Sequence, residues 1–116
     1  MDIKEIQDKV IEFRDARDWA QYHNPKDFAI SISLEAAELL EIFQWRDAGE
    51  VEALKGNEET RRRVKEELGD ILIYALTMSH KFDFDPTDIV LDKIQINDEK
   101  YPEEKVKGKS DKYTAY

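Results

Sequence analysis

Four carboxylates stand out by type and spacing. Glu35 and Glu38 lie in the run Ile32-Ser33-Leu34-Glu35-Ala36-Ala37-Glu38-Leu39-Leu40-Glu41-Ile42-Phe43-Gln44-Trp45. Glu67 and Asp70 lie in Val64-Lys65-Glu66-Glu67-Leu68-Gly69-Asp70-Ile71-Leu72-Ile73-Tyr74. On a helix, positions i and i+3 sit about 60° apart on one face. Projected this way, Glu35 and Glu38 share an arc with Phe28, Ile32, Leu39 and Ile42, and Glu41 falls at its edge. The second projection groups Glu67 and Asp70 with Val64, Ile71, Tyr74 and Met78, and leaves Glu66 outside. Ionised acids in the middle of an apolar stripe are costly unless basic partners, protonation or metal ions compensate them. Arg63 is the main base nearby. An oxygen-only ligand set suits Mg²⁺, Mn²⁺ or Ca²⁺, and two divalent ions would balance four charges while substrate phosphates complete their shells. The competing reading is a broad solvated face, with the acids paired to Lys and Arg elsewhere.

Placing these residues requires helices. Ile3, Ile6, Val10, Phe13 and Ala16 recur at intervals of three or four, which predicts a helix over residues 2–21. Asn24-Pro25 reads as an N-cap and first helical residue, opening a second helix that runs to about Arg46. Glu50 to Lys55 predicts a short helical turn, and a third long helix follows from about Glu58 to Lys81. Asp85-Pro86 opens a fourth, ending near Tyr101-Pro102, and residues from about 103 to 116 are expected to form an extended tail. The expectation is an all-α four-helix bundle in one domain spanning 1–116.

Composition narrows the function. Charged residues make up 39% of the 116, the formal net charge is −9, and there is no cysteine. Disulfides and thiolate metal sites are thereby excluded, and so acidic a surface disfavours nucleic-acid polymers and anionic membranes. No apolar run of signal or membrane-spanning length is present, so a soluble cytoplasmic protein is expected. A core this small favours partner subunits. Neither His23 nor His80 stands in an E-x-x-H pair, which argues against a carboxylate-bridged redox bundle. His80 reads as structural, whereas His23 either bonds a nucleotide or caps its loop. Trp19 and Trp45 either stack on a base or anchor the core or a subunit interface.

The motifs together resemble a known family. Glu35-x-x-Glu38 with Glu67-x-x-Asp70 is similar to the E-x-x-E…E-x-x-D signature of the MazG-like all-α nucleoside triphosphate pyrophosphohydrolases. Arg17-Asp18-Trp19-x-x-Tyr22-His23-x-Pro25, Glu41-x-Phe43-Gln44-Trp45 and Glu67-Leu68-x-Asp70-x-Leu72-x-Tyr74 resemble the dCTP pyrophosphatase branch. So do Lys93-x-x-x-Asn97-x-x-Lys100-Tyr101-Pro102 and Lys109-Ser110-x-Lys112-Tyr113-Thr114.

The resemblance implies Mg²⁺ (or Mn²⁺) held by Glu35, Glu38, Glu67 and Asp70, and cleavage between the α- and β-phosphates of a nucleotide. It implies that Trp19, Trp45 and Tyr74 contact the nucleoside, with Asn97, Lys100 and Tyr101 near the phosphates. Lys93 and His23 complete the candidate substrate contacts. Glu38 or Glu41 is the candidate proton acceptor. Homodimers or homotetramers with shared active sites are also implied. Relatives that cleave dCTP carry a His in the first helix where this chain has Val10, so cytosine preference does not follow. Two rivals remain: a sister enzyme such as a phosphoribosyl-ATP pyrophosphohydrolase, and a non-catalytic acidic helical module binding regulatory metal or a basic partner. The lysines Lys105, Lys107, Lys109 and Lys112 are either solvated or close over bound triphosphate.

Overall fold

Local sequence signals set most helix starts in the computed structural model, which describes residues 1–108. Helix α1 (Ile3–Ala16) begins where the Asp2 carboxylate accepts the Glu5 N–H at 2.8 Å. Helix α2 (Pro25–Glu41) begins at Asn24, whose side chain accepts the Asp27 N–H at 3.0 Å, with Pro25 in the first turn. Asp47 caps α3 (Ala48–Ala53), Asn57 caps α4 (Glu58–Lys81) and Asp85 caps α5 (Pro86–Lys100). Each cap satisfies an amide that the helix itself leaves unpaired. Short 3₁₀ turns occupy Ala20–Tyr22 and Leu54–Gly56. Among the described residues there is no strand, and no helix is long and apolar enough to cross a membrane.

Three boundaries differ from expectation. α1 stops at Ala16 rather than residue 21, because Asp18 takes a left-handed backbone (φ 53°) that ends the repeat. α2 stops at Glu41 rather than Arg46. Its last turn tightens as the Ile42 and Phe43 amides bond to the carbonyls three residues back, Leu39 and Leu40. Residues 103–106, expected in an extended tail, form a short helix α6 (Glu103–Val106), in which Glu103 and Glu104 occupy the favourable N-terminal positions. The remainder of the tail, including Lys109, Ser110, Lys112, Tyr113 and Thr114, lies outside the described residues.

The principal packing is α2 along α4, with α1 crossing α4 and touching α5. Its apolar centre is small: Phe28, Ile42 and Leu76. Polar residues share it. Gln7 is fully buried; its Nε2 donates to the Leu76 carbonyl at 3.1 Å, and its Oε1 accepts from Lys4 Nζ at 2.9 Å. Buried Thr77 and Ser79 donate to the Ile73 and Ala75 carbonyls at 2.7 and 2.9 Å. Much apolar surface stays outside, including Ile30, Leu34 and Leu40 on α2, Leu68 and Leu72 on α4, and Leu91 and Ile94 on α5.

Gln7 ties α1 to α4 by a bond that an apolar side chain cannot make. Gln7→Leu is expected to lower unfolding stability by about 1–3 kcal/mol. Urea denaturation followed by far-ultraviolet circular dichroism would read this as an earlier midpoint with an unchanged slope.

Candidate metal centre

The α2–α4 packing brings carboxylates from two helices together. One oxygen each of Glu35, Glu38 and Glu67 can be chosen so that all three lie within 4.8 Å of one another. Glu35 and Glu67 are half-buried and Glu38 is exposed. Asp70, one helical turn beyond Glu67, is exposed and lies outside this trio. The sequence pattern therefore locates the right face, but the expected burial of four acids is corrected to two. Among the described residues, no element covers Glu38 or Asp70, and both are exposed.

The electrostatics of the trio are strained. A hydrogen bond with Glu67, then burial, then the hydrogen bond and charge of Glu38 push the Glu35 carboxyl up to about 7, and the Glu67 charge adds to this. Glu67 Oε2 is buried and has no hydrogen-bond partner. An orphaned buried oxygen beside two further carboxylates is a donor set for a hard cation: all ligands are oxygen, and a divalent charge offsets their repulsion. The residues present fit Mg²⁺ or Mn²⁺ on this chemistry.

The other candidates distribute around this face unevenly. Tyr74 follows Glu67 by two turns on α4 and is half-buried. Glu41 is the exposed last residue of α2, outside the trio. His23 sits half-buried before α2, its ring edge-on to Phe28 at 4.9 Å and its Nδ1 buried without a partner. Trp19 lies in the loop after α1, 45% exposed, with its ring 5.8 Å from Phe13 and the Arg17 guanidinium over the Phe13 ring at 3.6 Å. Trp45 falls within the span expected for the second helix. It lies instead in the turn beyond α2, 88% exposed, because the helix has already ended. Lys93 and Asn97 are exposed on α5, while Lys100 and Tyr101 at its end are half-buried. His80 is half-buried in the last turn of α4.

A feature that the acidic-face projection passes over is a basic-rimmed groove on another side of α4, where Arg61 and Lys65 flank Leu68 and Leu72. The signal was present as a second i, i+4 apolar stripe on the same helix.

Acidic motifs carried on two packed helices of an all-α chain are thus the defining features of the acidic face. The chain belongs to the MazG-like family, whose description matches residues 30–115. It is 36% identical over 103 residues to human dCTP pyrophosphatase 1 and 33% identical to the rat protein, covering 89% of this chain and 61% of each relative. It thus spans about three fifths of the length of those relatives. A crystal structure of a pyrophosphatase from Archaeoglobus fulgidus superposes with a TM-score of 0.75 at 44% identity, covering 86% of this chain and 92% of that one.

The raised Glu35 carboxyl sets a pH dependence. Its ordinary value is 4.5 and its folded value about 7, so the folded chain holds an extra proton between these limits. Stability of the metal-free protein is then expected to fall as pH rises from about 4.5 to 7 and to level off above. Thermal melts in chelator across this range check it, and Glu35→Gln should flatten the decline.

Proposed function

We propose that the chain hydrolyses (deoxy)nucleoside triphosphates to the monophosphate and pyrophosphate, in nucleotide-pool sanitation, with dCTP or modified nucleotides as candidate substrates. The observation that carries this reading is the Glu35–Glu38–Glu67 trio with its orphaned oxygen. The likeness to dCTP pyrophosphatase 1 and to the archaeal pyrophosphatase supports it.

Glu35, Glu38, Glu67 and Asp70 are the proposed ligands of Mg²⁺ or Mn²⁺. Asp70 joins by turning its carboxylate towards the trio. When bound, such an ion neutralises phosphate charge and acidifies a ligated water. The chain's own work is positioning and proton transfer. Glu38 or Glu41 takes the proton of a water whose oxygen bonds to the α-phosphorus, while the bond from that phosphorus to the bridging oxygen breaks and pyrophosphate departs. Trp19, Trp45 and Tyr74 offer aromatic faces to the base, where stacking contributes about 1–3 kcal/mol per base. His23 can donate or accept at the same end. Lys93, Asn97, Lys100 and Tyr101 are the proposed partners of the phosphates, since their cations and donors match its charge.

The working form is proposed as a homodimer or homotetramer. Exposed tryptophans, uncovered carboxylates and the extensive apolar surface of α2, α4 and α5 all leave the single chain short of a closed site.

A panel of canonical and modified nucleotides with Mg²⁺ tests the reaction, reading pyrophosphate against orthophosphate. Pyrophosphate with monophosphate is the expected product pair. Orthophosphate alone would assign a different bond, and no release with any nucleotide would favour the non-catalytic acidic module. Glu38→Gln and Asp70→Asn are each expected to lower turnover by at least about 100-fold with circular dichroism unchanged. Wild-type rates in either variant would remove that residue from the site.

A further inference from the structure

Helix α5 packs only sparsely, against α1. Every residue from 87 to 99 is exposed, including Val90, Leu91 and Ile94. An isolated helix of 15 residues is marginal in water, and helical stability in proteins comes chiefly from a packed face. Leu91 and Ile94 are both 58% exposed and lie about 60° apart, with Asp98 between them on the same stripe and Val90 at its edge. Lys93 and Lys100 project from the other side of the helix.

Elsewhere on the chain is a cavity of complementary character. A groove of about 920 Å³ runs between α3 with its following turn and the first half of α4. Phe43, Val51 and Leu54 form one wall, and Leu68 and Leu72 the other, with Leu72 59% exposed. Gly69 adds no side chain, and a Cβ placed there would meet nothing within 4 Å. A mid-helix glycine costs roughly 0.5–1 kcal/mol relative to alanine, and its use here opens the floor of the groove to close approach. Arg61 and Lys65 stand on the rim, and neither forms an ion pair among the described residues. Asp98 on α5 likewise forms none.

We infer that this groove receives α5 of a second copy of the chain, laid antiparallel to α4 with Leu91 and Ile94 inward. The spacing supports that direction. Leu91 and Asp98 are seven residues apart, as are Leu72 and Lys65, about 10 Å in each helix. Antiparallel alignment sets Leu91 against Leu72, Ile94 against Leu68 and Gly69, and Asp98 against Lys65 and Arg61. Parallel alignment would instead bring the acid to the apolar end of the groove. Docking in this way leaves Lys93 outside the new contact. The inference rests on the oligomeric reading above but specifies the surfaces that meet.

The chain has no cysteine, so single introduced thiols report contact between copies. Leu72→Cys and Leu91→Cys proteins, purified separately and mixed under mild oxidation, are expected to form the mixed disulfide in preference to either self-linked dimer. Light scattering is expected to show about ten-fold or more weaker association for Lys65→Glu and for Asp98→Lys, with recovery when both are combined in one chain. An assembly that stays intact in both charge variants, with Leu72→Cys linking only to itself, would overturn this pairing and leave the oligomeric enzyme standing. A wild-type chain that is monomeric at all concentrations, but releases pyrophosphate, would overturn the docking and the assembly together without touching the reaction. A monomer whose groove takes up only a foreign acidic helix would equally overturn it.

Discussion

Mutual repulsion among Glu35, Glu38 and Glu67 is the interaction around which this structure is organised. Two unit charges about 4 Å apart near a protein surface repel by about 4 kcal/mol, a large fraction of the stability of a small domain. The α2–α4 packing nevertheless holds three carboxylates within 4.8 Å. Without a cation the chain relieves the strain by keeping a proton on Glu35, whose carboxyl is pushed up to about 7. With a divalent cation the same repulsion becomes affinity, since the ligands are already gathered. Folding energy from the helix pair is thus stored as preorganisation for charge neutralisation, which the proposed phosphoanhydride cleavage would use.

That helix pair is itself incompletely supported by one chain. Its apolar centre comprises Phe28, Ile42 and Leu76, while Gln7, Thr77 and Ser79 fill buried positions with polar groups. Each polar group is matched to a backbone carbonyl of Leu76, Ile73 or Ala75, so the interior is satisfied without being strongly apolar. Gln7 alone of the three bonds across to another helix and fixes how α1 sits on α4, while Thr77 and Ser79 bond within α4. The apolar residues needed for stability lie outside, on α2, α4 and α5. A helix apolar on more than one side is characteristic of burial on more than one side, and α2 has that character, with Phe28 turned inward and Ile30 and Leu34 outward.

Much of this was legible in the chain. Asn24-Pro25 and Asp85-Pro86 announce helix starts because cap chemistry is local, and both appear where expected. The i, i+3 acidic pairs identify the α2 and α4 faces because helical phase is a property of a short segment. Helix ends were less legible. The left-handed turn at Asp18 and the tightened turn after Glu41 have weak sequence signals, and they displace Trp19 and Trp45 from the helical positions assigned to them.

By itself, the sequence determined the all-helical class, the family and the identity of the acidic motifs, all of which depend on residue types and near-neighbour spacing. Only the tertiary structure decided which carboxylates meet, that Glu35 and Glu67 share the half-buried side while Glu38 and Asp70 stay exposed, and that α5 packs only sparsely, against α1. Those outcomes depend on the angle and depth at which separate helices pack, and no periodicity within one helix encodes the position of another.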